Sequence, residues 1–247
     1  MSDATAIAAT DPATGNARAP GDAVARADAY PHEHQFDNLA QQTDAARLGM
    51  WLFLATEVLF FGGLFGAYTA YRYVYYHAFA EASRELSVLF GTLDTAVLLT
   101  SSLTMALAVF TAQSTADSPA ARRRSGRTIA LLLLATAALG AGFLVLHGFE
   151  YYEDYQEHHF PGRTFFFPGA ESGQVELFFI IYFCLTGLHS LHVLIGVVLL
   201  AVMAALSWKG RYYGGYHNPI EISGLYWHFV DMVWVFLFPL LYLIAPR

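Results

Sequence analysis

Charged side chains are scarce in this sequence. Asp, Glu, Lys and Arg make up only 13% of the 247 residues, whereas 56% are hydrophobic. A typical soluble domain carries about 25% charged residues, so this composition excludes an ordinary water-soluble domain. The deficit is concentrated, because 177–208 contains none of the four charged types and Glu57 is the only one in 48–71. The net charge of −7 is therefore no guide to a nucleic-acid partner, and none is predicted.

Cysteine is almost absent, and so are the common catalytic motifs. The single cysteine, Cys184, permits no disulfide within the chain, and there is no CxxCH haem-attachment motif. The sequence also lacks a nucleotide-binding loop, a nucleophile elbow and enough suitably placed histidines for a binuclear metal centre. No catalytic residue and no metal site are predicted in this chain.

Long apolar runs dominate what is present. A helix that crosses a bilayer needs roughly 20 apolar residues and can pair its own backbone groups, which lipid cannot do for it. The sequence predicts an all-α integral membrane protein, a bundle of five transmembrane helices that forms a domain at 46–247. The predicted spans lie at about 46–76, 88–114, 127–152, 174–208 and 223–245.

The first 45 residues differ from the rest, because they are rich in Ala, Asp, Gly and Pro and have no apolar periodicity. They predict a disordered tail. The segment lacks the apolar region of a signal peptide and is too acidic for a mitochondrial presequence, so a multi-pass protein of the bacterial inner (plasma) membrane is predicted. The acidic residues in question are Asp3, Asp11, Asp22 and Asp28.

The distribution of Lys and Arg predicts the orientation, since cytoplasmic loops carry an excess of these residues. The tail and the loops after the second and fourth spans hold nine of them, and the opposite side holds four. The amino terminus is therefore predicted to be cytoplasmic. The nine are Arg18, Arg26, Arg47, Arg122, Arg123, Arg124, Arg127, Lys209 and Arg211, and the four are Arg72, Arg84, Arg163 and Arg247.

Glu57 lies about 15 Å along the first span from Arg47, close to the middle of the bilayer. A carboxylate at that depth is costly and marks a functional candidate related to protons or lipid; the alternative is a protonated carboxyl that makes one structural hydrogen bond. Gly62 and Gly66, just beyond it, form a small-xxx-small face that predicts close packing against another helix.

His189 and His192 are three residues apart in the fourth span and are expected to share a helix face. His147 and His189 both lie about 30 Å along their helices from the cytoplasmic ends. A polar lock between the third and fourth spans is therefore predicted from His147, Glu150, His189 and His192. A metal site is the weaker alternative, because nothing in the sequence completes a ligand shell.

The rest of the segment "HGFEYYEDYQEHHF" is predicted to be a solvated loop at the outer end of the third span. Asp94 is predicted to lie near water, in the outer part of the second span. In the fifth span, His228 and Asp231 could form a polar pair on the inner side. The residues predicted in the solvated loop are Glu153, Asp154, Glu157, His158 and His159.

A second set of residues is predicted to lie at the interface between lipid and water. These residues are Trp208, Trp227, Trp234 and Arg47.

Four strings resemble the subunit III family of haem–copper oxidases, especially of cytochrome c oxidase, in its five-helix form. They are "GMWLFLATEVLFFGGLFGAY", "HGFEYYE", "TGLHSLHVLIG" and "YWHFVDMVWVFLFPLLYL". The resemblance runs from about Phe36 to Arg247. Asp94 departs from it, since Asn is expected at this position in many members.

The resemblance implies an accessory subunit of a proton-pumping oxidoreductase in aerobic electron transport. Haems and copper would belong to subunits I and II, and none would be bound by this chain. The subunit would stabilise the catalytic subunit, hold phospholipid in a cleft and support proton uptake. Further small subunits or a respiratory supercomplex are expected partners. Glu57, Glu150, His189, His192, His228 and Asp231 match residues of the family's motifs.

Three other identities remain open from the sequence. A ubiquinol oxidase subunit III is the nearest, although Glu57 in "TEVLFF" favours the cytochrome c type over the Asp expected there in the quinol type. An accessory subunit of a nitric-oxide reductase is the second. A small independent transporter would also explain buried ionisable residues, but such proteins commonly show internal repeats or broken helices, and neither is evident.

Overall fold

The structure, a computed structural model, describes residues 35–113, 119–163, 165–168, 172–209, 212 and 217–244. Within these ranges the regular secondary structure is entirely helical. Five of the six helices, all except α2, are long and apolar enough to cross a membrane, so the predicted all-α fold with five spans is confirmed. The helices are α1 (Leu39–Val74), α2 (Tyr76–Glu85), α3 (Val88–Gln113), α4 (Pro119–Gln156), α5 (Ser172–Trp208) and α6 (Asn218–Tyr242).

The helix boundaries differ from the predicted spans mainly at the amino-terminal ends. Helix α1 begins at Leu39, so the last part of the predicted disordered tail, 39–45, is helical; most of that tail lies outside the described residues. Helices α4 and α6 also begin earlier than predicted, and each has a proline in its first turn, Pro119 and Pro219. Proline is tolerated there because its missing N–H would have no helical partner in any case.

Helix α2 was not predicted, because its ten residues are too short to register as an apolar run. It is amphipathic and buries one face. The ring of Phe79, fully buried, lies 5.6 Å from that of Tyr68 in α1 and 5.4 Å from that of Phe178 in α5. The short helix therefore joins the carboxyl-terminal end of α1 to the amino-terminal end of α5.

Two tryptophans of α6 anchor a bundle formed by α3, α4, α5 and α6. Trp227 and Trp234 are both fully buried and lie two turns apart on one face of α6. The indole N–H of Trp227 donates a hydrogen bond to Ser101 Oγ at 3.0 Å, and that of Trp234 donates to Thr95 Oγ1 at 3.1 Å. Both acceptors belong to α3, so these bonds fix the register between α3 and α6.

The Trp227 ring fits only because two neighbouring helices present glycine to it. A Cβ added at Gly196 of α5 would lie 2.9 Å from the ring, and one added at Gly140 of α4 would collide with it. The predicted interfacial position of Trp227 and Trp234 is therefore wrong: tryptophan suits a membrane interface, but here its N–H finds an acceptor inside the bundle. Trp208 does lie at the surface, with 55% of its area exposed.

Helix α1 packs differently from the other spans. In its most apolar stretch 11% of the residues are buried, compared with 50% in α6. From Gly49 to its end, its Cα atoms stay more than 8 Å from those of the other described helices almost throughout. Long side chains bridge the gap: the ring of Phe61 lies 5.3 Å from that of His192, and the Tyr68 hydroxyl donates to the carbonyl oxygen of Leu240 at 2.8 Å.

Candidate functional site

Three ionisable side chains converge inside the bundle, between α3 and α4. His147 Nδ1 lies 3.7 Å from Asp94 Oδ2 and 3.3 Å from Glu150 Oε2. Asp94 is fully buried, and His147 and Glu150 are each 2% exposed. His147 and Glu150 share a face because they are three residues apart on α4, and α3 brings Asp94 to the same depth. These three residues are called the buried cluster below.

Hydrogen bonding within the buried cluster is incomplete. Tyr242, at the end of α6, donates to Glu150 Oε2 at 2.8 Å, and the Tyr182 hydroxyl lies 3.4 Å from that of Tyr242. Both carboxyl oxygens of Asp94 and both ring nitrogens of His147 have no hydrogen-bond partner among the described residues. The close approaches within the cluster therefore lack hydrogen-bond geometry.

The prediction that Asp94 lies near water is wrong. Phe238 and Tyr242 of α6 cover Gly91, one turn earlier on α3, so closely that a Cβ at Gly91 would lie 2.7 Å from the Phe238 ring. This covering buries the face of α3 that carries Gly91 and Asp94, while Leu89 and Leu93 on the other side stay exposed. The position was misjudged because distance from a helix end gives the depth of a residue but not the direction that it faces.

Aromatic rings enclose the imidazole of His147. The Phe143 ring stacks against it at 5.6 Å and 10°, and the Trp234 ring meets it edge-on at the same distance. Tyr151 lies on another side, with ring centroids 4.6 Å apart. These contacts hold the orientation of the imidazole toward the two carboxylates.

His189 does not join a lock with His147 and Glu150. It is fully buried, it packs against Phe143 and Trp234, and neither ring nitrogen has a hydrogen-bond partner among the described residues. The predicted depth is reasonable, since His147 and His189 both contact Trp234, but no bond links them. The polar contact that the structure shows between α4 and α5 is instead Tyr151 Oη to Thr186 Oγ1, at 2.6 Å.

His192 turns away from His189 and meets α1. Its Nε2 lies 3.3 Å from Glu57 Oε2, and its Nδ1 lies 2.7 Å from the carbonyl oxygen of Leu188. The two histidines diverge because their neighbours differ: His192 meets Glu57 and Phe61 of α1, whereas His189 packs against Phe143 and Trp234. The predicted grouping of His192 with the lock is therefore wrong.

The contact with Leu188 determines the protonation of His192. A carbonyl oxygen can only accept, so Nδ1 must carry a proton. Nε2 is then the ring nitrogen that faces Glu57, 3.3 Å from Oε2.

Gly62 and Gly66 do not pack against another helix of this chain. A Cβ added at either position would meet nothing within 4 Å. The small-residue face of α1 is therefore open among the described residues, and the predicted helix packing is not found within the chain.

Residues 26–245, almost the whole sequence, match the family described as cytochrome c oxidase subunit III. The chain belongs to this family. The resemblance inferred from the four sequence motifs is thereby confirmed, and the protein is a haem–copper oxidase subunit III. Its five spans agree with a multi-pass membrane location.

Similar proteins include both cytochrome c and quinol oxidase subunits. Cytochrome c oxidase subunit 3 of Thermostichus vulcanus is 31% identical over 85% of this chain and 92% of its own length. That of Synechocystis sp. (strain ATCC 27184 / PCC 6803 / Kazusa) is 33% identical over 81% and 76%. Cytochrome bo(3) ubiquinol oxidase subunit 3 of Pseudomonas aeruginosa is 28% identical over 89% and 94%.

The fifth-span motif of this subunit III does not form the predicted pair. His228 Nδ1 lies 2.8 Å from Ser102 Oγ of α3, while the buried carboxyl group of Asp231 has no hydrogen-bond partner among the described residues. No ion pair between His228 and Asp231 occurs there either. The residue that sequence spacing missed is Ser102, because it belongs to a different helix.

The end of α4 is more ordered than a solvated loop. Asp154 and His159 are 5% and 7% exposed, so the prediction that both are solvated is wrong, although Glu157 is exposed. His158 adopts φ +63°, and the N–H groups of His158 and His159 return to the carbonyl oxygens of Tyr155 and Asp154. This arrangement is a Schellman cap, which ends the helix and turns His159 onto the Phe179 ring, 4.9 Å away.

Sequence reasoning also missed Tyr242, Tyr151 and Thr186, the partners that give the site its hydrogen bonds. Tyrosines near helix ends in membrane proteins are commonly interfacial, so nothing in the sequence distinguished Tyr242 from its neighbours. Arg47, predicted at the interface, is exposed.

Proposed function

We propose that this subunit III serves a cytochrome c oxidase as an accessory subunit without a catalytic centre. Subunits I and II would carry the haems and copper, and this chain would stabilise the catalytic subunit, hold phospholipid and support proton uptake. Further small subunits or a supercomplex would complete the assembly in a bacterial inner membrane, with the amino terminus in the cytoplasm. The observation that carries the proposal is the contact between Glu57 and His192, 3.3 Å apart, which joins α1 to the bundle through one polar pair.

Phospholipid is the proposed occupant of the space beside α1. The backbone of α1 stays apart from the bundle, and its exposed side chains are large and apolar. Acyl chains fill such a gap without a desolvation cost because they are as apolar as the side chains that they contact. The exposed apolar residues on α1 include Val58 and Leu59, next to Glu57.

The open glycine face of α1 is proposed to pack against a helix of the catalytic subunit. Gly62 and Gly66 would let two helix backbones approach closely, and no helix in the described part of this chain uses them. Stabilisation of the catalytic subunit would act through this face.

Support for proton uptake is proposed to be indirect. The Glu57 side chain is 18% exposed, and His192, 15% exposed, is its one ion-pair partner among the described residues. A single pair of ionisable groups does not by itself form a proton wire. Glu57 would therefore keep α1 and its lipid in place during turnover.

The test compares Glu57→Gln with Glu57→Ala in the whole oxidase complex, reconstituted in vesicles. A glutamine amide can donate to His192 Nε2 as a protonated carboxyl does, so the Gln variant should respire and pump protons nearly as well as the wild type. The Ala variant should lose α1 contacts and inactivate faster during turnover. Oxygen consumption, proton pumping and subunit content are measured together.

Glu81→Gln is the matched control, because Glu81 is an exposed carboxylate on α2. A Gln variant at Glu57 that retains normal subunit content but no longer pumps would make Glu57 a direct proton carrier and contradict the indirect role.

A ubiquinol oxidase is the second candidate, favoured by the similarity to the bo(3) subunit of Pseudomonas aeruginosa. The purified complex distinguishes the two. Oxidation of reduced cytochrome c would support the first proposal, and oxidation of ubiquinol without activity on cytochrome c would replace it with the second.

A further inference from the structure

The buried cluster has the spacing of metal ligands. In a tetrahedral zinc site with bonds of 2.0–2.2 Å, neighbouring ligand atoms lie roughly 3.3–3.6 Å apart. His147 Nδ1 lies 3.3 Å from Glu150 Oε2 and 3.7 Å from Asp94 Oδ2, and one potential ligand atom from each residue lies within 4.8 Å of the others. Only a small adjustment of the Asp94 and Glu150 side chains would place all three atoms around one ion.

Of these three atoms, Glu150 Oε2 accepts a hydrogen bond from Tyr242, whereas His147 Nδ1 and Asp94 Oδ2 have no hydrogen-bond partner among the described residues. Both oxygens of Asp94, both ring nitrogens of His147 and Oε1 of Glu150 are buried without a hydrogen-bond partner among the described residues. Buried polar atoms normally have partners, so a group of five in one place requires an explanation. A cation bound by His147 Nδ1 and by the carboxylates of Asp94 and Glu150 would account for the atoms of this group that face one another, although not for His147 Nε2.

The net charge of the buried cluster also favours a bound cation. If both carboxylates are ionised and the imidazole is neutral, as metal ligands must be, the cluster carries a charge of −2, and a net charge inside a transmembrane span is costly. No salt bridge from Lys or Arg reaches Asp94 or Glu150 in the described parts of the chain. A divalent cation would neutralise the cluster.

The surroundings would orient the ligands. Tyr242 donates to Glu150 Oε2, and Phe143 stacks on the His147 ring. Such outer contacts fix the ligands of metal sites and tune their affinity. We propose that Asp94, His147 and Glu150 bind a divalent metal ion of the Zn²⁺ class, which joins α3 to α4 and, through Tyr242, to α6.

One imidazole nitrogen and two carboxylate oxygens suit Zn²⁺ and neighbouring first-row divalent ions. The site is structural, and no step of oxygen chemistry is assigned to it. The inference rests on contacts within this chain and does not depend on the proposed function.

The experiment measures zinc in the purified, fully assembled complex after equilibration with a zinc buffer and removal of loosely bound metal. Zinc is diagnostic because the metals expected in the partner subunits are iron and copper. The wild type should retain one equivalent that His147→Gln and Asp94→Asn both lose. Tyr242→Phe should weaken zinc binding about 10–100-fold, as loss of an outer contact does.

His189→Gln is the matched control, because His189 is equally buried on the adjacent helix but lies outside the cluster; it should keep the equivalent. X-ray absorption of the wild type should show one imidazole and otherwise oxygen neighbours, a result that needs no variant to fold. Zinc that persists in both cluster variants would be adventitious surface zinc and would overturn the proposal. A wild type that retains none would overturn it too, leaving the cluster to hold protons only.

Discussion

Helix α1 and the bundle of α3 to α6 use the same residue types in opposite ways. In the bundle, Gly140 and Gly196 receive the ring of Trp227, and neither could gain a Cβ without moving it. On α1, Gly62 and Gly66 face open space, and the helix touches the bundle through long side chains such as Tyr68. Among the described residues, the helices of the bundle pack closely on one another, with 28–50% of the most apolar stretch of each helix buried, whereas in α1 the figure is 11%.

The contrast also separates two kinds of polar contact. In the bundle, tryptophan N–H groups donate to hydroxyl oxygens on α3, and the polar atoms of Asp94 and His147 are sealed from water. At α1, Glu57 and His192 remain partly exposed. The second pair lies at the surface of the described chain, whereas the first group is enclosed by it and must be neutralised by groups within the bundle.

Among these variants, removal of the Trp227 ring should destabilise the chain most. Trp227→Ala should lower the free energy of unfolding by about 3 kcal/mol. The loss comes mainly from the cavity and from the missing hydrogen bond to Ser101, because lipid is as apolar as the bundle interior. Unfolding of the purified chain in detergent micelles would measure it. Trp208→Ala, at an exposed site, is the control and should change little; equal losses in the two variants would contradict the anchoring role.

Replacing glycine by alanine should change the free energy of unfolding in opposite directions in the bundle and on α1. Gly140→Ala forces the Trp227 ring to shift and should destabilise the chain by about 1–3 kcal/mol. Gly62→Ala meets no atom of this chain, so it should be neutral or stabilise by up to about 1 kcal/mol, because alanine favours helix. The same unfolding measurement applies to both. In the assembled complex, Gly62→Ala should instead reduce retention of the subunit if α1 packs there against the catalytic subunit.

The smallest effect is expected at the link between α1 and α6. Tyr68→Phe removes the hydrogen bond to the Leu240 carbonyl and keeps the buried ring, so the loss should be about 0.6 kcal/mol, an average for such bonds in membranes. Tyr71→Phe, at an exposed tyrosine of the same helix, should have no effect. A loss above about 2 kcal/mol would mean that α1 depends on this bond far more than its open packing suggests.

Composition alone was enough to predict the five spans, because a bilayer imposes the same length and apolarity on every helix that crosses it. Motif strings were enough to predict the family. Helix α2 was missed because an amphipathic segment of ten residues gives no comparable signal. The boundary of the tail was also misplaced, since caps and prolines rather than hydropathy determine where a helix begins.

The sequence determined which ionisable residues belong to the long apolar helices: Glu57, His147, Glu150, His189 and His192 are visible as interruptions in apolar runs. Their depth in the bilayer, counted along each helix, stays a prediction. Only the tertiary structure decided their partners. It places His147 beside Asp94 and His192 beside Glu57, and it surrounds His189 with aromatic rings. The physical reason is that a helix fixes the rise and rotation of each residue about its own axis, but only packing against neighbouring helices decides which face meets which.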